Sequence, residues 1–396
     1  MSDYSKPNNK VANPYAQYIT DTYTGYFVGE PIVYNGADEP ELLATLDEIY
    51  NYNDEAAVNA ELAKDASIYG VAYELLYTDE NADIRFKKID AEKGIPIYDN
   101  TLEEDLLYFI RHYDEEDILT GNKTTYVEVY SRESIKYYTL SAGAMKFVNE
   151  RSHAFKAVPI NIYQNNEEEQ GDFENVISLI DAYDLITSDS INDMAYFADC
   201  YLALYGMSGT EPEDIAQMKE QRVLLLETDA KAEWLTKQIN DTYVENLKNR
   251  LDAQIHKFSK CPAMTDSDFA SNASGVAMKY KLMGIETATS KKERAFKKAL
   301  QRRVELICNI YSVMGYDYNY RAIQPIFTRN IPANLVEVAD VVNKVGHLLS
   351  EETQIGLLPI DIDAKEELER KEAELTRGEL EYTFEEEVKA DGEEEA

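Results

Sequence analysis

Histidine, cysteine and tryptophan are scarce in this chain, and each shortage excludes a class of chemistry. There are four histidines, three cysteines and one tryptophan in 396 residues. Cys200, Cys261 and Cys308 are far apart and odd in number, which argues against a disulfide framework and for reduced thiols in an intracellular protein. His112, His153, His256 and His347 are isolated. None falls in a spacing such as HExxH or beside paired cysteines, so all four read as surface or packing residues. No apolar run approaches the ~20 residues of a membrane span, and the first residues lack the basic-then-apolar order of a signal peptide. A soluble protein without cofactor, metal or membrane contact is expected.

Positive charge is scarce as well. Asp and Glu number 75 against 39 Lys and Arg, a formal charge of −36. Such a chain repels phosphate overall, which disfavours a tight nonspecific grip on nucleic acid. Disorder does not follow, because 44% of residues are hydrophobic and 30 are tyrosines. Those rings suit half-buried strands and subunit interfaces.

What is present is an α+β first part followed by long helices. Residues 38–50 and 54–70 carry apolar positions at helical spacing, with Gly70 as a stop. Strands are predicted at 71–77, 83–89, 106–113, 124–130, 134–140 and 158–163, paired as antiparallel hairpins. Gly121-Asn122-Lys123-Thr124 has the end of a phosphate-binding loop, but Glu116 replaces its first glycine, so a hairpin turn is expected. After the polar stretch 164–171, a helix capped by Asp172 is predicted to run unbroken to Gly206. Residues 207–240 read as an insertion, with 222–227 and 232–239 as a hairpin holding Trp234. A second helix starts near Asp241, and Val244, Leu247, Leu251, Ile255 and Phe258 mark its face until Cys261-Pro262.

The loop DSDFASNASG (266–275) follows. A helix restarts near Ser274, is interrupted at Gly284 and ETATS, and resumes at a capping box formed by Ser290 and Glu293, ending at Gly315. A strand at 322–330 and helix at 332–349 precede a tail, 361–396, with sixteen acidic and five basic residues, expected to pass into disorder. Within 279–303, Lys279, Lys281, Lys291, Lys292, Arg294, Lys297, Lys298, Arg302 and Arg303 face only Glu286 and Glu293. This basic face fits internal or intersubunit ion pairs, a solvated face, or contact with a DNA backbone. The pairs Asp266/Asp268 and Asp361/Asp363 each lack a third metal ligand and read as solvated carboxylates.

Five segments in order, ANPYAQYITDTYTGYFVGEPIVY (12–34), VISLIDAYDLITSDSINDMAYFADCYLAL (176–204), SNASGVAMKYKL (271–282), PIFTRNIP (325–332) and LLSEETQIGLLP (348–359), resemble the portal proteins of tailed double-stranded DNA bacteriophages, most closely those of long-tailed phages of Gram-positive hosts. The resemblance covers nearly the whole chain. It implies a non-enzymatic ring, usually of twelve subunits, at one capsid vertex of the virion, assembled in the host cytoplasm. Through it double-stranded DNA is packaged and ejected without sequence specificity. The implied partners are a separate terminase motor, a head-completion or adaptor protein, scaffold and major capsid protein. Members usually carry a further N-terminal helical segment ahead of the first motif.

The resemblance also implies an order of parts: wing (1–170), stem helix (171–206), clip (207–240), second stem helix (241–262), tunnel loop (263–275), long kinked helix with a returning wing strand (276–329), helical crown (330–360) and acidic tail (361–396). Trp234 of the clip becomes the contact for partner proteins. Asp266, Ser267, Asp268, Ser271, Asn272, Ser274 and Gly275 become the DNA-facing loop. That loop carries no cation, and each Lys or Arg contact to phosphate would add affinity to be broken at every step. The basic residues of 279–303 become candidate contacts to a neighbouring subunit or to the DNA backbone. Two other classes remain open at this level: a Mg²⁺-dependent nuclease using scattered acids, and a helical structural oligomer unconnected with DNA.

Overall fold

Alternation and helical periodicity both find their elements in the computed structural model, which describes residues 8–141, 143–197, 201–205, 231–235, 241–264, 275–331, 340, 342–344, 346–357, 364 and 367–373. The chain divides into two units: Met1–Met264 with Leu282–Arg329, and Thr265–Lys281 with Asn330–Ala396.

In the first unit, helix α1 (Tyr15–Val28) and strand β1 (Val33–Asn35) precede helices α2 (Pro40–Asn53) and α3 (Glu55–Tyr69). Gly70 ends α3 as expected. Its φ of 79° is one that glycine adopts without strain, and its N–H caps the Ala66 carbonyl at 2.9 Å. Strands β2 (Val71–Thr78), β3 (Ile84–Ile89), β4 (Gly94–Tyr98), β5 (Leu106–Glu116), β6 (Lys123–Tyr130), β7 (Ser134–Ser141), β8 (Ala144–Ser152) and β9 (Ile160–Gln164) follow. They form two antiparallel sheets, ordered β3-β2-β9 and β4-β5-β6-β7-β8. Gly121, at φ 68°, and Asn122 close the β5–β6 turn, and Lys123 and Thr124 already pair in β6.

The predicted 172–206 helix is shorter and differently started. After a 3₁₀ turn (Glu174–Val176), helix α4 spans Ile177–Phe197, and strand β10 (Tyr201–Tyr205) follows. Asp172 does not cap it, because its carboxylate is taken by Ser67, Asn165 and Lys292. The insertion's hairpin also differs. Strand β11 (Lys231–Leu235) pairs with β10, Leu202 opposite Trp234, whereas 222–227 lies outside the described residues.

Helix α5 (Asp241–Ser259) packs along α4 with Leu251 and Ile255 buried, while Phe258 faces solvent instead of continuing that line. Helix α6 (Gly275–Val313) is one element of 39 residues, about 58 Å long at 1.5 Å per residue. The predicted interruption is absent for local reasons. Ser290 donates to Glu286 Oε1 at 2.9 Å, and Glu293 is held by Arg329 and Lys297, so no capping box forms. At Gly284 a Cβ would lie 3.4 Å from the Lys260 carbonyl, so the glycine serves close packing inside the helix. Strand β12 (Gln324–Ile326) returns to pair with β1, a much shorter strand than the predicted 322–330.

Helix α6 is central to the core of this unit. Phe296, Ala299 and Leu300 pack with Phe27, Leu62, Ala66, Ala72 and Tyr163. Val304, Leu306, Ile307 and Ile310 pack with Leu42, Leu46, Leu76 and Phe86. The two sheets meet through Tyr73, Ile89, Phe109 and Tyr130.

In the second unit, helix α7 (Glu351–Gly356) is capped by Ser350 Oγ, which accepts from the Thr353 N–H at 3.3 Å. Gln354 ties back to the Gly346 carbonyl at 2.7 Å, and Lys371 reaches Glu351 at 2.9 Å. Most of the predicted 332–349 helix and of the acidic tail lies outside the described residues.

Candidate functional site

Three ionic anchors fix α6 in the first unit. At its centre the Arg303 side chain is fully buried. Its Nη2 and Nε reach both oxygens of Glu74 at 2.7 and 3.1 Å, Nη1 reaches Glu55 at 2.9 Å, and Nη2 also reaches Asn59 at 2.8 Å. Tyr163 and Asn161 donate to Glu74, whose two oxygens are both engaged, and Tyr34 donates to the Glu55 Oε1 that Arg303 also reaches. Burial opposes the charge on Arg303, but Glu74 foremost among its neighbours holds its pKa above the ordinary guanidinium value. Burial likewise pushes the Tyr34 and Tyr163 hydroxyls well above the usual phenol range.

The second anchor is Lys292, whose Nζ lies 2.6 Å from Asp172 and 5.1 Å from the Tyr23 ring. The third is Arg329, beyond β12, which clasps Glu286 at 2.8 and 3.1 Å and Glu293 at 2.6 Å. Burial raises both glutamate pKa values, but the hydrogen bonds outweigh it and hold both carboxyls below their usual value. These come from Arg329, Tyr26 and Ser290 at Glu286, and from Lys297 and Arg329 at Glu293.

These anchors revise the expectation for the basic segment. Lys292 and Arg303 are not surface contacts: their charges are neutralised inside their own chain, where a neighbour or DNA cannot reach them. Lys297 pairs with Glu293 at 2.8 Å and Arg302 with Glu305 at 2.7 Å. Lys281 also has a partner, whereas Lys279, Lys291, Arg294 and Lys298 are exposed without an ion pair among the described residues. Periodicity alone could have separated the two groups. Residues 292, 296, 299, 303 and 307 share the apolar face, and 291, 294 and 298 the opposite one.

The α4–α5 pair carries a feature that pattern reading missed. Side chains four residues apart on α4 hold an extended segment two residues apart: Asp184 accepts from Asn13 at 2.9 Å, Ser188 from Val11 at 3.0 Å, and Asn192 from Asn9 at 2.7 Å. The match is geometric, since four helical residues rise about 6 Å and two extended residues span about 6.6 Å. Tyr15 then donates to Asp252 of α5 at 2.6 Å and packs edge-on against Tyr183. From Glu174 to Phe197 there is no cation, and Asp181, Leu185, Asp189 and Met194 face solvent.

Asp266, Ser267, Asp268, Ser271, Asn272 and Ser274 lie outside the described residues, as does the Trp234 side chain, while Gly275 begins α6. His256 Nδ1 lies 3.0 Å from the Cys261 carbonyl, and His153 Nε2 lies 2.9 Å from the Ser131 carbonyl, with its pKa lowered by burial. Among the described residues no group of three or more His, Cys, Asp or Glu is placed to hold a metal ion.

The model of the phage portal protein family, SPP1 Gp6-like, matches residues 2–379. The portal protein of Bacillus phage SPP1 is 25% identical over 396 residues, covering 95% of this chain and 78% of that protein. The portal protein of Clostridium phage phiCD119 is 22% identical over 377 residues, covering 90% and 80%. Among solved structures, a chain in the neck of a native GTA particle computed with C12 symmetry aligns with TM-score 0.52 at 12% identity, covering 88% of this chain and 90% of the other. A chain from the neck of an empty GTA particle computed with C6 symmetry aligns at TM-score 0.50 and 13% identity, with the same coverage.

Proposed function

The chain belongs to the SPP1 Gp6-like family of phage portal proteins, and from that premise we propose that identical copies, twelve in number, close into a ring at one capsid vertex and conduct DNA. The family match over residues 2–379 carries this reading, and the C12 neck that the fold resembles supports the subunit number. Residues 1–170 form the wing, α4 and α5 the stem, and 207–240 with the β10–β11 hairpin the clip, where Trp234 meets the packaging motor and later the head-completion protein. Residues 330–360 form the crown. Assembly takes place in the host cytoplasm with scaffold and major capsid protein, and a separate terminase hydrolyses ATP.

The physical basis of conduction is weak contact. DNA presents about one phosphate charge per 1.7 Å, and a cation-lined loop repeated around a ring would act as a brake. Asp266, Ser267, Asp268, Ser271, Asn272, Ser274 and Gly275 carry no cation, so phosphates pass a neutral-to-acidic collar. Repulsion from the acidic chain centres the duplex. Helix α6 transmits load because Arg303 binds it to Glu55 and Glu74 of the wing, Lys292 to Asp172, and Glu286 to Arg329.

Native mass spectrometry tests the ring: the expected species is an integer multiple, twelvefold, of the 45.2 kDa chain. A monomer under every assembly condition overturns the reading. The collar has its own test, in which Asn272→Trp with Ser274→Trp blocks DNA packaging while rings persist. Undiminished packaging by those rings contradicts the collar. Divalent-dependent DNA cleavage by the purified chain would point to the nuclease class instead.

A further inference from the structure

Two surfaces of the first unit are each unfavourable alone and complementary to one another. The first is the outward stripe of α6. Met283, Thr287, Lys291, Arg294 and Lys298 follow one another at steps of four, four, three and four residues, and all are exposed, Met283 at 63%. Lys291 and Arg294 stand three apart and Arg294 and Lys298 four apart, spacings at which like charges destabilise a helix. None of the three has an ion pair among the described residues.

The second surface is the β5–β6 hairpin. Strand β4 stops pairing with β5 at Arg111, and β7 stops pairing with β6 at Thr125, yet β5 and β6 pair on to Glu116–Lys123. The end of the hairpin is therefore a two-stranded finger extending past both neighbouring strands. Asp114, Glu115, Glu116 and Asp117 load it with acid, against which only Lys123 stands, 3.7 Å from Glu116. Ile118 and Leu119 at the tip are 98% and 95% exposed. The turn presenting them is ordered: Gly121 N–H reaches the Asp117 carbonyl at 2.7 Å, and Asp117 Oδ1 accepts from the Leu119 N–H at 2.8 Å.

We propose that the 114–119 finger of one subunit docks along the Met283–Lys298 face of α6 in a second copy of this chain. The occupant follows from complementarity of charge, an acidic finger with an apolar tip against a basic stripe that ends in an exposed Met283. From Lys291 to Met283 is eight helical residues, about 12 Å. Glu115 and Glu116 end the paired part of β5, and Ile118 stands two residues on, inside the turn closed by the Gly121 N–H and the Asp117 carbonyl. With the acids over Lys291, Arg294 and Lys298, the apolar tip is turned toward the Met283 end of the stripe. Because the two surfaces differ, the contact is head-to-tail, the kind that propagates into a ring when its rotation closes. The inference rests on the ring reading above and specifies the contact that closes it.

A charge exchange read by native mass spectrometry at moderate salt tests the contact. Asp114→Lys, Glu115→Lys and Glu116→Lys together, and separately Lys291→Glu, Arg294→Glu and Lys298→Glu, are each expected to weaken ring assembly at least tenfold. The six substitutions combined are expected to restore it. All six sites are exposed, and circular dichroism checks that each variant folds. As a second measurement, the single chain carrying Ile118→Cys and Met283→Cys should form a ladder of disulfide-linked subunits under mild oxidation. Rings from the wild-type chain that persist in both charge-reversed variants, or are not restored in the combined one, or give no ladder, overturn the contact while leaving the ring reading in place. A wild-type chain that never forms rings overturns both.

Discussion

Arg303 and Glu74, 229 residues apart in sequence, meet through two hydrogen bonds of 2.7 and 3.1 Å with neither side chain reaching solvent. The pair joins the longest helix to the central strand of the three-stranded sheet. Removing one partner of such a pair leaves an uncompensated buried charge, which costs about 3–5 kcal/mol. Arg303→Met should therefore lower the thermal midpoint by on the order of 10 °C, measured by calorimetry. Arg303→Lys keeps the charge but loses the planar two-pronged donor, so it should recover only part of the loss.

Acid should loosen the Arg329 anchor. Glu286 and Glu293 both have folded pKa values below their ordinary value of 4.5. Their contribution to stability is therefore complete above the unfolded pKa and is lost as pH falls through the folded one. Between pH 6 and pH 3 the wild-type melting temperature should fall more steeply than that of Arg329→Gln, in which the pair is already broken. Parallel pH profiles for the two would contradict the anchor.

The stapled N-terminal segment gives a local prediction. Asp184→Ala with Ser188→Ala removes acceptors for the Asn13 and Val11 N–H groups, each bond contributing about 1 kcal/mol. Hydrogen exchange at residues 9–13 should rise at least tenfold while exchange in the two sheets stays unchanged.

Cys261 and Cys308 are buried thiols whose pKa is pushed by desolvation to about 12. In a Cys200→Ser background, neither should react with a thiol reagent at pH 8 until denaturant is added. Prompt labelling of the native chain would contradict the packing around α5 and α6.

Much of this architecture was legible in the sequence, because its elements are periodic. Helices α2 and α3 and the line Leu251–Ile255 on α5 carry their burial in their spacing, and strands β2, β3, β5, β6, β7 and β9 are marked by aromatic and β-branched runs between turn residues. What escaped has particular causes. Helix α1 is built from tyrosine and threonine, weak helix formers, and is held by Tyr23 and Tyr26 hydroxyls reaching the Ser259 carbonyl and Glu286. Strand β4 contains Pro96, and β8 is exposed on both faces, so neither alternates. Gly284 and Ser290 imitate a helix break because local signals do not reveal that Lys260 packs on one and Glu286 accepts from the other. In the basic segment the division into two faces was available in the helical spacing, but the partners of the buried anchors, Glu74, Glu55 and Asp172, lie more than a hundred residues upstream and no local pattern names them.

The most direct measurement is a cryo-electron microscopy reconstruction of the assembled chain. The account predicts a closed ring whose hole admits a DNA duplex, with residues 266–275 lining it and no lysine or arginine among the innermost side chains. An open or monomeric particle, or a narrowest zone ringed by cations, would contradict it.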